Sequence, residues 1–273
     1  GWRPTAVVHV KSLCACAVRL LPGAVHVYDP VDVTTWRDQL KTGSPLMRMD
    51  ALLLTTSLAH CDLRMHPAFR RAGNMSAFWL PLHHSNFRSL LARGGRAHVE
   101  TVGTATAHLD KDLHGLLRRA LGQLGHGAPM FKHLDPKEHF KGSEGRILSP
   151  QQTDSLYVQM ASLDVGIAKS ACSRDWWQCS RWRTGQRLVN LMSLGIPTVV
   201  WGDAQGHLDA VEGRWPPRAP ECGCGGWAPP LPMERYPPEL VVTSDHGAEV
   251  ALVALLRNSS LRALARSRGL RLS

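Results

Sequence analysis

Short apolar runs alternate with amphipathic stretches along most of this chain. In the first third, residues 6–11 (AVVHVK), 24–28, 51–56 (ALLLTT) and 78–82 (FWLPL) read as strands. Residues 14–21 and 34–41 carry helical spacing and stop at Pro22-Gly23 and Gly43. A Gly- and Arg-rich stretch at 87–96 reads as a linker. The alternation then resumes. Strands are expected at 98–103, 130–133, 146–148 and 164–168, with helices at 113–124 and 154–162 and a small-residue turn from Gly103 to Thr106. The clearest unit follows. Leu188, Leu191 and Met192 recur at helical spacing, Gly195 suits a left-handed C-cap, Pro197 forbids continuation, and 198–201 is a short β-rich run. A helix at 206–211, a Pro- and Cys-bearing insertion at 213–239 and a strand at 240–243 come next. A helix capped by Ser244 or Asp245 runs to Leu256, and an Arg-rich helix at 261–267 closes the chain. Strands alternating with helices imply parallel sheets. The expected fold is α/β, with a small N-terminal domain over 1–88 and a second domain over 89–273.

Composition narrows the class. The chain has 273 residues, 44% hydrophobic and 20% charged, which suits packed cores and argues against disorder. No apolar run reaches the ~18 residues of a membrane span, and no targeting signal is visible, so localisation stays open. Net charge is +10, which favours an anionic ligand, nucleic acid or an acidic membrane. The basic residues are scattered rather than clustered, which weakens the nucleic-acid reading. Seven cysteines include two CxC pairs, Cys14/Cys16 and Cys222/Cys224, but no zinc-like spacing, so no metal site is expected. Asp110-Lys-Asp112 has a DxD spacing, yet acidic residues are favoured at a helix start anyway. Six of the nine tryptophans lie between Trp176 and Trp227, where they suit either a stacking platform or ordinary packing. Asn74-Met-Ser76 and Asn258-Ser-Ser260 are sequons, relevant only in a secretory setting.

Open parallel sheets bind ligands beyond the C-terminal ends of their strands. Asp29, Asp32, Ser57, His60, His83 and His84 all follow strands of the first half. In the second half, the Gly103–Thr106 turn offers backbone N–H groups and hydroxyls, and the helix opening near Gly185 offers another N-terminus. Lys169, Arg183 and Arg187 add positive charge. Arg187 falls in the first helical turn, where a cation opposes the helix dipole and a bound anion would offset the conflict. Together these features suit a diphosphate.

The stretch Asn190-Leu-Met-Ser-Leu-Gly-Ile-Pro-Thr-Val-Val200, with the upstream helix and aspartate-led strand at 156–168, resembles the C-terminal domain of glycosyltransferases of the GT-B architecture, which have two Rossmann-like domains. The resemblance spans 97–257. It implies that a nucleotide diphosphate sugar is the donor, with no cofactor, and that an acceptor hydroxyl takes the sugar. Gly103 and Thr104 would approach the diphosphate, and Lys169, Arg183, Gln186 and Arg187 would bind it without a metal. Asn190 falls where many members place a ribose-binding glutamate, and Trp182 where some place a glutamate facing the sugar. A base would come from Asp29, His83 or His84. Three other readings stand beside this one. They are a nucleotide-binding module without catalysis, a basic nucleic-acid-binding protein, and a sugar-nucleotide epimerase.

Overall fold

The computed structural model describes residues 4–10, 13–30, 40, 44–72, 75–79, 98–106, 111–135, 157–169, 183, 185–213 and 235–272. They form two parallel sheets. The first comprises β1 (Ala6–Val10), β2 (Val25–Asp29), β3 (Ala51–Leu54) and β4 (Ser76–Trp79), hydrogen-bonded in that order. Every crossover steps in one direction. Right-handed connections therefore put the described intervening helices on one face. Packing agrees. Val18 of α1 (Ala15–Leu20), Leu63 of α2 (Ser57–Met65) and Phe69 of α3 (Pro67–Ala72) all join the cluster around Tyr28, Leu52 and Leu54. Through the register Ala6↔Val25, Val8↔Val27, Val27↔Ala51 and Leu53↔Phe78, the opposite face carries Val8, Val10, Val25 and Phe78. These four are 57, 54, 50 and 54% exposed.

The second sheet comprises β5 (Thr101–Ala105), β6 (Met130–Leu134), β7 (Val165–Ala168), β8 (Thr198–Trp201) and β9 (Val241–Val242), in the order β6-β5-β7-β8-β9. The direction reverses after β6. Right-handed crossovers thus set α4 (Lys111–Gly122) and α5 (Gln186–Ser193) on opposite faces. α4 packs on α7 (Asp245–Arg257), and α5 packs on α8 (Ser259–Leu272). β5, β7 and β8 are buried at every position, as a parallel strand between two helical layers should be. A shorter helix, α6 (Gln205–Val211), follows β8.

The organising unit forms as its pattern predicts. Gly195 takes φ 69° at the end of α5, and Thr198 to Trp201 is the buried strand. Tyr236 pins that strand from the far end of the insertion. Its hydroxyl accepts from Thr198 N at 2.7 Å and donates to Thr198 O at 2.9 Å. Ser244 caps α7 by accepting from Gly247 N at 3.0 Å.

Other expectations move. β5 begins at Thr101 and runs to Ala105, so the expected turn at 103–106 is mostly strand. β4 is centred two to three residues earlier than the 78–82 run. The pattern gives no helix at 57–72, yet α2 and α3 lie there. Polar residues His60, Cys61, Asp62 and Arg64 mask the apolar face of α2, and Thr56 caps it by accepting from Ala59 N at 3.1 Å. Cys14 and Cys16 are joined as a disulfide at the start of α1. The helix expected at 34–41, the strand at 146–148, the boundary at 88/89 and most of the 213–239 insertion lie outside the described residues.

Candidate functional site

A doubly wound sheet opens a crevice where its strand order reverses. Here that point lies between the C-terminal ends of β5 and β7. Lys169 follows β7 directly. Its Nζ stands 3.3 Å from Asp245 Oδ1 at the start of α7 and 5.2 Å from the centre of the Trp201 ring. Arg187, in the first turn of α5, donates from Nη1 to Lys169 O at 3.1 Å. That carbonyl is its one polar partner among the described residues. Burial, with the charge of Arg183 added, pushes the Arg187 guanidinium down to about 10. A partly buried cation with no carboxylate partner among the described residues favours a nearby anion.

The chain holds this cation cluster in place by a backbone contact. Gly206 N donates to Arg183 O at 3.2 Å. A Cβ on Gly185 would collide with Gly206 O and come within 2.8 Å of Gly206 C. Glycine at 185 lets the start of α5 lie directly against the α6 backbone at Gly206. His207, next on α6, is buried and donates from Nδ1 to Trp201 O at 2.8 Å. Burial first, opposed by that hydrogen bond and aided by Arg187 and Arg183, pushes its pKa down to about 4. It is therefore neutral at pH 7 and adds no charge to the cluster.

Asp203 lies in the bend between β8 and α6. Its Oδ1 is shut off from solvent and has no hydrogen-bond partner among the described residues. Burial raises its pKa, opposed by a hydrogen bond from its own amide and by Lys169.

The other expected site residues divide. Gln186 donates from Nε2 to Asn190 Oδ1 at 3.1 Å, so the amide oxygen of Asn190 is engaged along the helix. Asn190 is 9% exposed. Gly103 is a correction. It sits in mid-strand, paired with Lys132 on one side and Gly166 on the other. A Cβ there would strike Leu163 and approach Lys132 O to 2.8 Å. Its lack of a side chain serves packing and offers no open turn. Thr104 is likewise an interior strand residue, 1% exposed, and Thr106 N is spent on Leu134 O at 3.0 Å. The cation cluster is thus built from the ends of β7, β8, α5 and α6, without the glycine turn. Asp29 closes β2 in the first sheet, opposite Val10. His83, His84 and Trp182 lie outside the described residues. Asp203 and His207 were legible only as residues following a strand, and Asp245 only as a cap. Among the described residues, no three His, Cys, Asp or Glu side chains gather as a metal site would require.

Two parallel-sheet α/β domains define a glycosyltransferase-like fold of the GT-B type. No protein-family model matches the chain, and no curated protein matches its sequence. Among solved structures it is similar to the pneumococcal O-GlcNAc transferase GtfA, solved in complex with UDP and GlcNAc. The alignment covers 99% of this chain and 54% of that one, with a TM-score of 0.55 and 10% identity. The chain thus spans about half the length of that transferase, and the likeness is one of fold.

Proposed function

We propose that this chain is a glycosyltransferase that takes a sugar from a nucleotide diphosphate sugar and passes it to an acceptor hydroxyl. The bond between the anomeric carbon and the diphosphate breaks, and a bond from that carbon to the acceptor oxygen forms. The acceptor proton passes to a base, for which Asp29, His83 and His84 are the candidates. The diphosphate leaves with increased negative charge.

The observation that carries this reading is Arg187, a partly buried guanidinium whose one described polar partner is the Lys169 carbonyl. Preorganised positive charge in a water-poor site is what a developing diphosphate needs. Lys169, Arg183 and Gln186 stand on the same strand and helix ends and complete the donor site. The two expected phosphate contacts at Gly103 and Thr104 are dropped. Cations of the protein take the part a divalent metal plays elsewhere, so turnover should survive a chelator.

Titration calorimetry with UDP tests the site. Arg187→Ala should weaken UDP binding by about 1.5–3 kcal/mol, the scale of a charge-assisted hydrogen bond, and leave uridine binding unchanged. Arg187→Lys, which keeps the charge but loses the planar fork, should fall between. Equal losses for UDP and uridine would remove the phosphate role. A second reading, nucleotide binding without turnover, is favoured by the engaged amide of Asn190. UDP binding with no hydrolysis of any UDP-sugar would select it.

A further inference from the structure

Two features stand apart from the donor site: the sequon Asn258-Ser259-Ser260 and the bridge between Cys14 and Cys16. Asn258 joins α7 to α8. Its N–H donates to Ala254 O at 2.9 Å and ends α7, and its backbone oxygen accepts from Arg262 N at 3.1 Å. Its side-chain Oδ1 accepts from Leu261 N at 3.0 Å, which makes Asn258 the N-cap of α8. The polar group left over is Nδ2, which has no partner among the described residues. Residues 257–260 are all exposed. The amide nitrogen and the Ser260 hydroxyl are therefore open to a modifying enzyme.

The place spares the rest of the molecule. α7 is 13 residues long, about 20 Å. Its first residue, Asp245, stands beside Lys169, and Asn258 follows its last. A bulky group on Nδ2 would leave from the far end of α7, away from the cation cluster. The cap would survive as well, because an N-linkage replaces one amide hydrogen and keeps Oδ1 as an acceptor.

The bridge supplies the setting. Its cysteines are two positions apart, so it closes a loop too short to stabilise the fold much. Both are exposed. An exposed bridge is open to reduction by small thiols and persists where the surroundings are oxidising. We propose that Asn258 carries an N-linked glycan, added in the oxidising compartment where Cys14 and Cys16 pair. In that transfer the anomeric carbon of a lipid-diphosphate-linked oligosaccharide parts from its phosphate oxygen and bonds to Nδ2. The displaced amide proton goes to a base of the transferring enzyme, and the lipid diphosphate departs. The proposal stands independently of the donor-site reading.

The experiment starts with the full-length protein isolated from its own cells. Peptide N-glycanase leaves aspartate where a glycosylated asparagine stood, and peptide mass spectrometry reads the change. Position 258 should read as aspartate after treatment, and Cys14 and Cys16 should resist alkylation until reduced. Unaltered asparagine at 258 overturns the proposal, whatever the state of the cysteines. Cysteines that label before reduction overturn the assigned compartment. Secretion of the full chain from a eukaryotic host then isolates the site. Ser260→Ala should lose the mass of one glycan and hold its melting temperature, since Asn258 still caps α8. Ser260→Thr, which preserves the sequon, should keep the glycan. An unchanged mass in Ser260→Ala puts any glycan elsewhere and overturns the assignment.

Discussion

The two sheets are built from the same strand–helix alternation and end as different objects. In the first, the order β1-β2-β3-β4 never turns back, so α1, α2 and α3 share one face and Val8, Val10, Val25 and Phe78 remain exposed on the other. In the second, the order turns back once, both faces are covered, and a crevice opens at the reversal. Lys169, Arg183, Arg187 and Asp203 gather at the C-terminal strand ends of the second sheet. The first sheet contributes Asp29 at an equivalent end. Strand order, more than composition, separates the two halves.

That contrast yields measurable differences, taken from large to small. A methyl group at Gly103 or Gly166 has nowhere to go. At Gly166 it would stand 2.7 Å from Thr198 Oγ1 and 3.1 Å from a Leu191 methyl. Either glycine to alanine should cost about 3 kcal/mol, the upper range for overpacking. Gly23→Ala in the first half, with nothing within 4 Å, should change stability by about 0.5 kcal/mol or less. Denaturant unfolding followed by tryptophan fluorescence compares them, and equal losses would erase the distinction between the halves.

Acid should act next. His207 has its folded pKa pushed from 6.5 to about 4. Below 6.5 the unfolded chain takes up a proton that the folded one refuses, so stability falls as pH drops from 6.5 to 4, by about 3 kcal/mol, and is fully regained above 6.5. His207→Asn should flatten that slope. His9 and His60 in the first half, both lowered mainly by burial, add losses of the same sign. A slope unchanged in the Asn variant would show that the first half alone sets the acid response.

Tyr236→Phe removes both partners of the Thr198 backbone and should cost about 2 kcal/mol, the penalty of stranded buried groups. The smallest effect should come from the bare face. Val8→Thr with Val10→Thr should shift stability by about 0.5 kcal/mol or less. A larger loss would mean that this face is covered in solution.

How much of this the sequence revealed follows from locality. The α5–β8 unit was readable because spacing, Gly195 and Pro197 all point the same way over a few residues. The parallel sheets were readable from alternation. The role of Gly103 was not, because a small residue in a turn and a small residue beneath Leu163 look alike along the chain. Lys169 and Arg187 were singled out by charge and by position at strand and helix ends, and the structure brings them together. Asp203 was passed over because the enclosure of its Oδ1 shows only in three-dimensional packing. The reversal of strand order was equally invisible, since crossover direction leaves no mark in residue pattern.

The touch between Gly185 and Gly206 reaches beyond local packing. α6 also lies against α2 of the first half. The first turn of α5, which carries Arg187, therefore rests on α6 backbone to backbone. A side chain at position 185 would push these two helix starts apart, and with them the cluster of Lys169, Arg183 and Arg187 from the helix that meets α2.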